Sequence, residues 1–108
     1  MNTATRNNEG TTIVDVTGHI DLGSSPDLRK TLLESLKETD RLAVNLVAVK
    51  YIDSSGIASL LEVLKAARQG QKRFVLFGLT SAVRQVLQLT RLTTVFEIRE
   101  TEQEVLHA

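Results

Sequence analysis

The sequence contains no cysteine in its 108 residues. Disulfides and thiolate metal sites are therefore excluded, and a reducing compartment fits. There is no surplus of charge, with 13 basic and 13 acidic side chains. That balance removes the electrostatic footprint of a nucleic-acid binder and the polybasic signal for an acidic membrane surface. His19 and His107 are the only histidines and lie far apart in sequence. No apolar run approaches the ~20 residues of a membrane span. The opening stretch, MNTATRNNEG, is polar and lacks the apolar core of a signal peptide. These absences predict a cytoplasmic protein without nucleic-acid or membrane partners. No repeat or low-complexity segment is present. Hydrophobic content of 42% and charged content of 24% are ordinary for a globular protein. A chain of this length buries roughly 60–70% of its unfolded surface, enough for a single domain over residues 1–108.

The pattern along the chain alternates strands with helices. Residues 3–7 can form a short edge strand before a turn at Asn7-Asn8-Glu9-Gly10. Residues 12–17 alternate as a strand, with Val14 and Val16 on one face. Ser25-Pro26-Asp27 predicts a helix start, with Ser25 as cap and Asp27 complementing the dipole. Leu28, Leu32, Leu33 and Leu36 carry that helix to about Glu38. Residues 42–49 are apolar almost throughout, as in a parallel strand covered on both faces. A second helix follows from about Ser55, with Ile57, Leu60, Leu61, Leu64 and Ala67 inward and Gly70 ending it. Phe74–Phe77 is a further strand. Thr80 or Ser81 caps a third helix, Thr94–Ile98 is a last strand, and residues 101–106 are a short terminal helix. The expected fold is α/β, a mixed and mostly parallel sheet of four to five strands with helices on one face.

One junction is chemically unusual. Asp53, Ser54, Ser55 and Gly56 stand where a buried strand gives way to a helix. Four readings apply. The residues can cap the helix, with Gly56 easing a tight turn. A nucleophilic serine at a strand–helix elbow is a second possibility, but the first glycine of G-x-S-x-G and a convincing base are missing. A phosphate-binding loop lacks its G-x-x-x-x-G-K-[ST] spacing and would set Asp53 against the ligand. The fourth reading is a serine that accepts a phosphoryl group. The helix dipole and free N–H groups tolerate the product, which adds about −1.5 to −2 charge. The same charge in a protein interface, beside Asp53, would be repelled and poorly solvated.

Several segments together resemble a known family. They are Gly18-His19-Ile20-Asp21, Ser25-Pro26-Asp27-Leu28-Arg29, the run Leu46 to Leu61, Arg73 to Leu79, and Val83 to Leu92. In this order they resemble the bacterial anti-sigma factor antagonists that consist of a single STAS domain. The resemblance implies a non-enzymatic regulator that binds a serine-kinase anti-sigma factor and so releases the sigma factor. It implies Ser55 as the phosphorylated residue and a PP2C-type phosphatase that restores it. Asp53, Ser54 and Gly56 would frame the acceptor, and Asp21 would lie on the neighbouring loop of the partner surface. ATP and magnesium would belong to the kinase, so neither cofactor nor metal is expected here. Two positions depart from the family pattern, which often has Asp at position 45 and Gly at position 58. Here they are Asn45 and Ala58.

The main rival within the same family is a constitutive scaffold, or an accessory subunit of a signalling complex or lipid-transport ATPase. A small hydrolase is the third class. His19 has a bland reading as a half-exposed strand-end residue, and Asp21 as a turn cap. Glu62 with Lys65 reads as a solvated pair. The absence of an evident surplus apolar surface makes a monomer the default.

Overall fold

The computed structural model describes residues 1–107. Five strands form one sheet in the order β1-β2-β3-β4-β5. β1 (Asn2–Asn8) and β2 (Thr11–Ile20) make an antiparallel hairpin. Glu9 and Gly10 turn it with φ of 50° and 82°, the handedness that a two-residue hairpin loop requires. β3 (Arg41–Ile52), β4 (Arg73–Phe77) and β5 (Glu97–Arg99) then add in parallel. Three helices make the crossovers: α1 (Ser25–Lys37), α2 (Ser54–Gln69) and α3 (Ser81–Leu89). A short α4 (Glu102–His107) follows. The chain thus has the expected α/β fold, with five strands and a mostly parallel sheet.

Each strand adds on the same side, so right-handed crossovers carry α1, α2 and α3 to one face. Val14, Val16, Val44, Leu46 and Leu76 point there and pack with Leu28, Leu32, Leu60, Val63, Val83 and Leu87. Fully burying one such side chain stabilises by about 1.5–3 kcal/mol. The intervening residues Ile13, Ala43, Val75 and Phe77 face the other side, where Val105 of α4 packs with them. The terminal helix therefore lies opposite the other three, a difference from the one-face expectation. Its cause is the unbroken apolar character of β3 and β4, which leaves both faces in need of cover.

Ion pairs hold that second layer. The Arg6 guanidinium donates to Asp15 and Glu102, tying the hairpin to α4. Arg73 donates to Glu97 and to the Val105 carbonyl, the latter at 2.8 Å. These guanidinium bonds hold the Asp15, Glu97 and Glu102 carboxyls below the usual carboxylate range.

Two boundaries differ from the sequence pattern. The cap residue of α1 is Ser24, while Ser25 is its buried first residue and accepts a bond from Ser59 Oγ at 3.2 Å. β5 starts only at Glu97, because the chain first turns at Leu92–Val95 to bury Phe96 in the core.

β3 outruns its partners. It pairs with β4 only from Arg41 to Asn45, then continues along β2 alone. Its register against β2 slips twice: Asp15 and Thr17 face Asn45 and Ala48, and Gly18 and His19 face Val49 and Tyr51. Each slip inserts one extra residue in β3, a bulge. Asn45 fastens the first. Its Nδ2 donates to Asp15 Oδ1 at 2.8 Å, and its Oδ1 accepts the Val47 N–H at 3.1 Å. An amide can do both, and an ionised carboxylate cannot. Asn45→Asp is expected to cost about 1–3 kcal/mol at neutral pH, because two half-buried carboxylates would then meet without a shared proton. The deficit should shrink as the pH falls and one of the pair takes a proton, which urea unfolding at pH 7 and pH 4.5 would show.

Candidate functional site

The site lies beyond the carboxyl ends of β2 and β3, where open α/β sheets present their ligand-binding loops. Two loops meet there. The Asp53 N–H donates to the Ile20 carbonyl at 3.1 Å, which joins the start of α2 to the β2–α1 loop.

Asp53 is the N-cap of α2, in an extended conformation with φ −111° and ψ −173°. Its Oδ1 accepts the amides of Ser55 at 2.9 Å and Gly56 at 3.2 Å. The same oxygen accepts the Ser55 hydroxyl at 2.5 Å. The Ser55 hydroxyl, and then the backbone N–H groups of Gly56, Ser55 and Leu22, hold the Asp53 carboxyl below its ordinary range. Asp53 is thus an anion fixed by donors, and Ser55 is oriented by it.

Ser54 is exposed and Ser55 half-buried, both on the first turn of α2. Gly56 is buried. A Cβ there would lie 2.6 Å from Ile20 Cγ2 and 2.7 Å from Ile52 Cγ1. The glycine therefore serves close approach of α2 to the sheet rather than a turn.

Asp21 is on the facing loop. Its carboxylate accepts the amides of Gly23 at 3.0 Å and Ser24 at 3.1 Å, so it builds that loop's turn. The Ser24 hydroxyl accepts the Asp21 N–H and lies 3.0 Å from the His19 carbonyl, to which it donates. The structure thus places Asp53, Ser54, Ser55 and Gly56 on one turn, with Asp21 across from them. Leu22, 77% exposed on the same loop as Asp21, and Ser24 were not singled out by the sequence. An apolar residue beside a glycine in a polar loop was the available signal. No trio of His, Asp or Glu is placed to hold a metal ion among the described residues.

The chain's wider similarity is a separate observation from this geometry. The STAS domain family model fits residues 2–105. The chain belongs to the STAS domain family. An anti-sigma-B factor antagonist from Listeria monocytogenes is 33% identical over 91 residues, 83% of this chain and 80% of that protein. This relative places the STAS domain among the anti-sigma factor antagonists. A crystal structure from Thermotoga maritima superposes with a TM-score of 0.90 at 20% identity, covering 97% of this chain and 92% of that one. The Bacillus cell fate determinant SpoIIAA in its phosphorylated form superposes with a TM-score of 0.73 at 17% identity, covering 98% and 97%. These two structures share the STAS fold.

Proposed function

We propose that this STAS protein antagonises an anti-sigma factor that is itself a serine kinase, and that phosphorylation of Ser55 dissolves the complex. The observation that carries the reading is the Asp53–Ser55 pair at the start of α2. The Ser55 residue is half-exposed, and its hydroxyl donates to Asp53, which leaves the Oγ lone pairs free of that bond. In the transfer step the kinase's ATP loses its γ-phosphoryl group. The bond to ADP breaks, a bond to Ser55 Oγ forms, and the hydroxyl proton leaves to a base. The product can no longer donate to Asp53. It sets about −1.5 to −2 charge beside a fixed carboxylate, while the N-terminal dipole of α2 keeps the fold intact. A metal-dependent serine phosphatase of the PP2C type returns the hydroxyl. That the Bacillus structural neighbour exists in a phosphorylated form supports the same chemistry here.

Incubation with the cognate anti-sigma kinase and ATP, followed by peptide mass spectrometry, tests the acceptor. A single phosphate on Ser55 is expected, retained in Ser54→Ala and absent from Ser55→Ala. Undiminished phosphorylation of Ser55→Ala would refute the choice of acceptor.

A further inference from the structure

Away from the Ser55 turn, the two bulges of β3 build a surface of their own. Each turns two neighbouring residues outward, Val47 with Ala48 and Lys50 with Tyr51, while Leu46, Val49 and Ile52 remain buried. Val47 is 61% exposed and Tyr51 48%. The His19 ring meets Tyr51 edge-on, with centroids 5.9 Å apart and planes at 67°. A shallow hollow of about 690 Å³ runs between Met1, Ala48, Lys50 and His19, and it reaches Asp21 and Ser24 of the loop beside the candidate acceptor. Lys50 forms no ion pair among the described residues. The core does not need these side chains outside. Bulges re-aim side chains beside functional sites, and here Asn45 fixes the first one in place.

We propose that this bulged segment is a second docking surface for the anti-sigma kinase, receiving an apolar side chain against Tyr51 and Val47 and a carboxylate at Lys50. The inference rests on the Ser55 reading and extends the partner surface onto the open face of the sheet. Continuity identifies the occupant. Tyr51 precedes Asp53 by two residues, about 7 Å of strand. A partner covering about 800 Å² around Ser55, the usual share of a stable interface, spans Tyr51 as well. Charge identifies its chemistry, since the Lys50 ammonium beside this apolar surface has no ion pair among the described residues. The aromatic side chain has the character of an interface anchor. Contacts here lie off the phosphorylated turn, so they supply affinity without sensing the phosphate.

The test uses the full chain with Ser55→Ala, which cannot be phosphorylated, and the serine-kinase anti-sigma factor of the same organism, by isothermal titration calorimetry. Tyr51→Ala and Lys50→Glu are added singly. Both side chains are exposed, so thermal melts should stay unchanged. Each variant is expected to weaken binding about tenfold or more. Lys50→Glu should also flatten the salt dependence of Kd. Binding that stays within twofold in both variants would overturn the second surface and leave the Ser55 reading standing. Failure of the parent Ser55→Ala protein to bind any such kinase would overturn both.

Discussion

Ser55→Asp is expected to weaken the complex with the anti-sigma kinase about 100-fold, while the melting temperature stays within a few degrees. The two halves of this result have separate causes. Within the fold, the new carboxylate occupies the second position of α2, where the helix dipole favours an anion by about 0.3–1 kcal/mol. Against this stands the loss of the hydroxyl's bond to Asp53 and the approach of two carboxylates on one half-exposed turn. Water screens that repulsion, so the two effects nearly cancel. In a complex the screening is gone. Two adjacent anions are then desolvated without a cation from this chain's turn. A 100-fold loss needs only about 2.7 kcal/mol, and desolvating one unpaired charge can cost more. Titration of the kinase with Ser55→Ala and Ser55→Asp decides the matter. Equal affinity for both would mean that the Asp53–Ser55 turn is a cap or a constant contact, as in a scaffold subunit.

Much of this arrangement could be read from the sequence, because it depends on local chemistry. Acid and hydroxyl residues after a buried strand announce a helix start whatever the surrounding fold. The alternation of strands and amphipathic helices fixes the class. Other features depend on contacts distant in sequence. Ser24 and Ser25 are equally good caps by type, and α1 starts after Ser24, where the amides of both serines donate to the Asp21 carbonyl and the Ser25 carbonyl accepts Ser59 Oγ from α2. Asp53 rather than a serine caps α2 because an extended residue joined to Ile20 stands at that point. The apolar run of β3 hides its bulges completely. Val47 and Ala48 look like core beside Leu46 and Val49, and only the register against β2 shows that they face outward. The Asn45 departure is likewise explained only by its pairing with Asp15, thirty residues away in sequence.

Gly56→Ala is expected to damage both stability and phosphorylation, although alanine is the better helix former by about 1 kcal/mol. The added methyl has no room. It would stand 2.6 Å from Ile20 Cγ2 and 2.7 Å from Ile52 Cγ1, atoms set one bond from the Cβ of stiff, β-branched side chains. Both isoleucines are buried in the core and cannot swing aside. Overpacking of this kind costs about 1–3 kcal/mol before the propensity gain is subtracted. For a domain of this size each kcal/mol lost lowers the melting temperature by about 4–8 °C. The structure can relieve the clash only by lifting the first turn of α2 from β2 and β3. That movement separates Asp53 from Ile20 and carries Ser55 with it. The variant should therefore melt lower and also be phosphorylated more slowly at temperatures where it is fully folded. Thermal melts followed by kinase assays well below the transition separate the two effects. Normal phosphorylation in a destabilised protein would show that Ser55 does not need the close seat Gly56 gives its helix. Ala58, two residues further along α2, carries its methyl on the exposed side of the same helix, which is why that departure from glycine is accommodated where one at position 56 is not.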